Sequence, residues 1–133
     1  EMSGALGCEQ VIKLPALIKG RRYNAKLFKE AMIGHSDIQI QKEIGKSSWF
    51  GFSLITKKES KISREDLIKK LDFLGFEYRP IVTGNFAKSP VIKLLNADLS
   101  QDLSNAEYLD SNGLFIGNNH FPMNEAITEL SSI

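Results

Sequence analysis

The first 32 residues carry a helical pattern that only Pro15 interrupts, and this constrains the fold more than any other stretch. From about Ser3 to Met32 the apolar residues Leu6, Val11, Leu14, Leu17, Ile18, Ala25, Phe28 and Met32 recur mostly at steps of three, four and seven. Such spacing describes a long amphipathic helix. Pro15 has no N–H for the helical ladder, so it is expected to bend the helix or divide it. Lys19, Arg21, Arg22 and Lys26 line the other face, and Gly34-His35-Ser36 supplies a left-handed cap.

Beyond that cap the periodicity changes. Asp37 to Ile44 alternates with period two and predicts a strand. Trp49 to Lys57 predicts a second, with Gly45-Lys46-Ser47-Ser48 as the turn. Ser63 followed by Glu65 and Asp66 is a helix start, and Gly75 closes that helix. A short strand is expected over Glu77 to Val82 and one or two helical turns over Pro90 to Leu95. Further along come a helix over Ser104 to Asp110, a strand over Leu114 to Gly117 and a last helix over Asn124 to Leu130. Few strands with helices between them predict an α+β sandwich, its three- to four-stranded mixed or antiparallel sheet covered by helices on one face.

Composition narrows the function. A chain of 133 residues is one domain, able to bury roughly 65–70% of its unfolded surface. A net charge of +1 gives no electrostatic footprint for nucleic acid or an anionic membrane. Apolar runs are far shorter than the roughly 20 residues a spanning helix needs. The single cysteine, Cys8, makes no internal disulfide and fits a cytoplasmic setting. Met2 follows Glu1, so the chain reads as a piece cut from a longer polypeptide.

No catalytic machine is visible. The histidines, His35 and His120, share no ligand spacing with Cys8, and no Walker, dinucleotide or nucleophile-elbow motif occurs. His35 sits in a helix-ending turn and reads as solvent-facing, whereas His120, after Gly117-Asn118-Asn119, is equally open to a site or to solvent. Ligand-capable groups concentrate in two stretches, Ser47 to Phe52 and Gly75 to Pro90. Arg79 offers a planar fork matched to phosphate or carboxylate, aimed by Pro80. Thr83-Gly84-Asn85 forms a turn whose amides can meet hydroxyls, and Trp49, Phe50 and Phe86 can stack on a sugar or base. Against this, Trp49, Phe50 and Phe52 can be core, and Arg79 can pair with Glu77 or Asp72. An RNA-binding reading of Trp49-Phe50-Gly51-Phe52 lacks the basic head and the aromatic partner strand of that fold. A stand-alone small-ligand or regulatory domain without catalysis stays open as the alternative.

At these residues the chain resembles a known family. EMSGALGCEQVIKLPALIKGRRYNAKLF is similar to the long inter-domain helix of the DegT-type nucleotide-sugar aminotransferases and dehydratases. SSWFGFSLIT resembles the strand that follows, and GLFIGNNHFPMNEAI the closing strand, turn and helix. GFEYRPIVTGNFAKSP resembles the 3-dehydratase branch, where plain aminotransferases carry a Tyr/His-Pro-x-His variant. The resemblance implies the small C-terminal domain of the aspartate-aminotransferase fold (fold type I), with residues 1–33 as the inter-domain helix and 37–133 as the sandwich. It implies pyridoxal or pyridoxamine 5′-phosphate held by a large domain ahead of this chain, and a homodimer. It further implies a nucleotide-linked 4-keto-6-deoxysugar substrate, approached by Arg79, Asn85, Phe86, Trp49 and Phe50. Either 3-dehydration or transamination, in deoxysugar and lipopolysaccharide O-antigen synthesis, is compatible with it.

Overall fold

The computed structural model describes residues 1–99 and 101–133. Helix α1 spans Met2–Met32 and runs through Pro15, so of the bend or division expected there, division does not occur. The proline removes only the rung that would reach the Val11 carbonyl, and the turns on either side hold. Only Asn24, Ala25, Phe28 and Met32 of this helix are buried, a single stripe in its last third. Leu6 and Val11, expected on the same face, stay 67% and 66% exposed. Gly34 takes φ +71°, the left-handed turn anticipated after the helix.

Among the described residues four strands follow the sequence pattern, the first three shorter than the pattern suggests and the fourth one residue longer. β1 is Ile38–Ile40, β2 Gly51–Thr56, β3 Tyr78–Arg79 and β4 Gly113–Gly117, all antiparallel in the order β1-β2-β4-β3. β1 stops at Ile40 because the Gln41 side chain takes over the ladder. Its Nε2 donates to the Gly51 carbonyl at 2.9 Å and its Oε1 accepts from the Ser53 N–H at 2.6 Å. β2 starts at Gly51 because Trp49 adopts φ 55°, a left-handed backbone that costs roughly 1–2 kcal/mol. Burial of the Trp49 ring at 3% exposure returns about 1.5–3 kcal/mol, so burial wins. β3 ends where Pro80 offers no N–H.

Strand alternation sorts the side chains into two faces. Ile38, Phe52, Leu54, Leu114 and Ile116 point into the core, where they meet Ala25, Phe28 and Met32 of α1. Leu67 and Leu71 of α2 (Arg64–Phe73) and Ile127 and Leu130 of α4 (Asn124–Leu130) complete it. Phe28 and Phe52 stack with ring centroids 4.1 Å apart. Ser63 closes α2 with a capping box, accepting from the Asp66 N–H while the Asp66 carboxylate accepts from Ser63 N–H. Helix coverage is not confined to the core face: α3 (Ser104–Asn112) lies against the other face at one end, where Ile55 is only 7% exposed.

A buried polar bridge fixes α1 to the sheet. Asn24 Nδ2 donates to Asn118 Oδ1, to the Asn119 carbonyl at 3.1 Å and to the Phe121 carbonyl at 2.7 Å, while its Oδ1 accepts from Met123 N–H. Asn118 Nδ2 in turn donates to the carbonyls of Arg21 and Trp49 at 3.1 and 2.8 Å. The loop after β4 can approach because Gly20 has no side chain; a Cβ there would lie 2.2 Å from the His120 carbonyl oxygen.

Just past the C-terminal end of α1, His35 accepts through Nδ1 from the Asp37 and Ile38 N–H groups, and burial lowers its pKa. Asp37 accepts from Ser36 Oγ, the Lys61 N–H and Ser60 Oγ, which hold its carboxyl at about 2 against an ordinary 3.8.

Two predictions follow from these contacts. Asn24→Ala strands two carbonyls, an amide oxygen and the Met123 N–H, and is expected to lower stability by about 2–4 kcal/mol in urea unfolding; a loss below 0.5 kcal/mol would contradict the bridge. Both His35 and Asp37 have depressed folded pKa values, so the unfolded chain takes up their protons first. Stability is expected to fall as the pH drops below about 6.5 through His35. A second loss is expected between 3.8 and about 2 through Asp37, and Asp37→Asn removes that lower limb in thermal melts across pH.

Candidate functional site

The sheet face turned away from the core is only partly covered, and its residues are those alternation leaves over. Across it, Phe115 of β4 sits between Ser53 of β2 and Arg79 of β3 by register. The Phe115 ring lies over Gly51, where a Cβ would come within 2.3 Å of its Cζ. This close approach requires glycine there. Phe50 then stacks on Phe115 with centroids 6.0 Å apart and 22° between planes. Arg21, on α1, places its guanidinium 5.6 Å from the Phe50 centroid. Arg22 beside it donates to the Ser47 carbonyl at 3.0 Å, which holds the segment leading into Phe50.

Two hollows, of about 460 and 490 Å³, open on this face and share Phe50, Arg79 and Phe115. The first is bounded by Gly75, Phe76, Glu77 and the strand end Gly117-Asn118-Asn119. The second is bounded by Gln41, Ser47, Gly51, Pro80 and Val82. Neither Glu77 nor Asp72 pairs with Arg79: among the described residues its guanidinium takes part in no ion pair, and Asp72 instead accepts from the Tyr78 hydroxyl at 3.4 Å. An unpaired guanidinium beside two stacked rings suits a ligand with both negative charge and a flat apolar surface. No nucleophile–base pair accompanies it, and the described residues contain no cluster able to hold a metal ion.

The expected site residues do not all converge there. Phe50 is 71% exposed and Arg79 is exposed, and both line the hollows. Trp49 lines the second hollow but turns its ring into the core against Phe52, with Lys29 Nζ 5.3 Å from its centroid. Asn85 is 9% exposed, and its side chain is engaged locally. Its Oδ1 caps the following 3₁₀ turn by accepting from Ala87 N–H, and its Nδ2 donates to Glu107. Phe86, half exposed on that turn, lines neither hollow. Lys88 fastens the same turn to α3 through Glu107 at 2.6 Å and Asp110 at 3.1 Å. Those hydrogen bonds raise the Lys88 pKa and lower both carboxyls. His35 is structural, and His120 is exposed with its ring on Phe121.

Sequence reasoning missed Phe115, Arg21 and Glu77. The signal for Phe115 was present, since Leu114-Phe115-Ile116 places a phenylalanine on the face opposite two core residues. Arg21 and Glu77 gave none, because their places depend on how α1 and β3 pack.

Comparison with known proteins agrees with this architecture. The profile of the DegT/DnrJ/EryC1/StrS aminotransferase family matches residues 1–129. A GDP-4-keto-6-deoxy-D-mannose 3-dehydratase of Yersinia pseudotuberculosis is 50% identical over the whole chain, and one of Escherichia coli O55:H7 is 46% identical. The chain spans about a third of those relatives, 34% of each. A crystal structure of a GDP-4-keto-6-deoxymannose-3-dehydratase with bound GDP-perosamine superposes with a TM-score of 0.94 at 46% identity, over 98% of this chain and 34% of that one. The Helicobacter pylori aminotransferase PseC, at 16% identity and a TM-score of 0.71 over 96% of this chain and 34% of that one, shares the fold. With a match across nearly its whole length, the chain belongs to the DegT/DnrJ/EryC1/StrS aminotransferase family.

Proposed function

We propose that this chain is the substrate-gripping small domain of a pyridoxal-phosphate-dependent enzyme that removes the 3-hydroxyl of a GDP-linked 4-keto-6-deoxysugar. The observation that carries the reading is Arg79, a guanidinium with no counter-ion among the described residues, beside the Phe50–Phe115 pair on the uncovered sheet face. Dehydration is favoured over transamination because relatives at 46–50% identity are 3-dehydratases, while the aminotransferase PseC is only 16% identical.

The division of labour follows from what the domain contains. A pyridoxal cofactor, where bound, supplies the electron sink for chemistry next to the sugar's carbonyl. Neither hollow is lined by a lysine, and the only acid among their lining residues, Glu77, is exposed, so they do not fit as the cofactor's own seat. That seat belongs on this reading to a large domain ahead of Glu1. What this chain does is hold: Arg79 takes a phosphate oxygen pair, Phe50 and Phe115 supply apolar surface, and the sheet fixes their spacing. Trp49 and Asn85 act from behind, the first by anchoring the Phe50 segment and the second by shaping the turn that carries Phe86. The exposed apolar stripe of α1, with Leu6, Val11 and Leu14, docks against the large domain. The assembled enzyme is a cytoplasmic homodimer that contributes to deoxysugar supply for lipopolysaccharide O-antigen, in keeping with the 24% identical lipopolysaccharide biosynthesis protein RfbH of Salmonella typhimurium.

In the full-length enzyme Arg79→Ala is expected to lower kcat/KM for the GDP-linked 4-keto-6-deoxysugar by about 10- to 100-fold, mainly through KM, with Arg79→Lys recovering only part. Steady-state kinetics check this, and an unchanged kcat/KM in Arg79→Ala would contradict it. The 133-residue chain alone is expected to turn over no such substrate, with or without added pyridoxal phosphate; measurable turnover would show that the chemistry resides here.

A further inference from the structure

The segment after Arg79 leaves the sheet and takes no part in the core. Among the described residues none from Pro80 to Leu103 belongs to the hydrophobic core, and Val82, Leu94 and Leu95 stay exposed. β3 is two residues long, so Arg79 is the last residue that the ladder holds. Beyond it, Pro80 and Val82 line the second hollow together with Arg79. Val82 takes φ 54° and Gly84 φ 69°, and the turn is closed by the Gly84 N–H donating to the Ile81 carbonyl at 2.9 Å. A left-handed backbone at an exposed valine is unfavourable and persists only where its surroundings hold it.

The restraint comes from the corner between α3 and β4. Ile81 is seated on Gly113, where a Cβ would lie 2.5 Å from its Cδ1. The Asp110 carboxylate lies against the Gly84 backbone, where a Cβ would lie 2.1 Å from Oδ1. Lys88 Nζ closes over both α3 carboxylates, Glu107 at 2.6 Å and Asp110 at 3.1 Å. The corner itself is fixed to the sheet and to α2. Tyr108 Oη donates to the Thr56 carbonyl, Thr56 Oγ1 to the Asn112 carbonyl at 3.2 Å, and Arg64 Nε to the Gly113 carbonyl at 3.2 Å. The side chains of Lys88 and Glu107 are 50% and 55% exposed, and exposed ion pairs contribute little to folding stability. The effect of this contact is therefore on geometry.

Resting on the reading of Arg79 as the grip on the substrate's phosphates, we propose that Lys88 and Asp110 are positioning residues, which fix the turn after β3 and through it the direction of the Arg79 guanidinium. A planar fork meets two phosphate oxygens side by side only when its plane is set. Pairing with β4 sets it from one side, and the turn held on α3 sets it from the other. Neither Lys88 nor Asp110 lines the hollows, so neither touches a ligand seated there. The Lys88 ammonium is occupied by two carboxylates instead of facing the ligand.

A double-mutant cycle in the full-length, cofactor-loaded enzyme tests this, with steady-state kinetics on a GDP-linked 4-keto-6-deoxysugar. Lys88→Met is expected to raise KM about 10-fold, with kcat and the thermal midpoint near those of the parent, and Lys88→Arg to recover most of the loss. Asp110→Ala is expected to raise KM in the same way, whereas a lysine that gripped phosphate directly would bind no worse once freed of that carboxylate. Because the pair acts through Arg79, adding Lys88→Met to Arg79→Ala is expected to change KM little further. Parental KM in Lys88→Met, or an equal further loss in the Arg79→Ala background, overturns the assignment. An impaired Arg79→Ala enzyme beside a parental Lys88→Met enzyme removes this inference and leaves the proposed function standing. A parental Arg79→Ala enzyme removes both.

Discussion

Two buried asparagines hold together the pieces of chain that form the open sheet face. Asn24 and Asn118 are 0% and 6% exposed, and between them they reach the carbonyls of Arg21, Trp49, Asn119 and Phe121. Those four carbonyls belong to α1, to the segment before β2 and to the loop after β4. The bridge therefore locks together three pieces of chain whose side chains make up the aromatic and cationic face. Burial makes the constraint strict: an amide deprived of its partners inside the protein costs far more than one at the surface.

The sheet then acts as a partition. Its inner face is filled by α1, α2 and α4, with Phe52 packed on Phe28. Its outer face is covered by α3 near Ile55 and left open near Phe115. Core and open face are in this way assigned to alternate residues of the same strands. Leu114 and Ile116 pack in the core, while Phe115 between them lines the hollows. Residues placed on strands are positioned more rigidly than residues on loops, which suits the proposed role of orienting a ligand.

Much of this was legible in the chain. Helix positions, the Ser63 cap, the Gly34 turn and the strand content follow from periodicity and capping chemistry, and the antiparallel α+β sheet matches expectation. The misjudged limits share a physical cause. β1 and β2 were expected to be longer because local propensity cannot foresee a glutamine side chain replacing a ladder or a tryptophan accepting a left-handed backbone for the sake of burial. Of the bend or division expected at Pro15, division does not occur, because one missing rung does not end a 31-residue helix. Arg79 and Phe50 stood out as candidates because charge and aromatics are conspicuous in turn-rich stretches, and both line the hollows. Asn85 looked like a ligand-binding group by residue type, yet its caps and its Glu107 partner depend on how α3 packs. Arg21 and Glu77 come from segments 56 residues apart and meet this face only through tertiary structure.

The central claim is spatial: the ligand lies on the uncovered sheet face, between Phe50, Phe115 and Arg79. The most direct measurement is photolabelling of the cofactor-loaded enzyme with 8-azido-GDP, followed by peptide mapping. Adducts on the peptides carrying Phe50 or Phe115 to Asn119, suppressed by excess GDP, are the predicted result. GDP-protected labelling confined to α3, to the turn at Phe86 or to the exposed stripe of α1 would contradict the account.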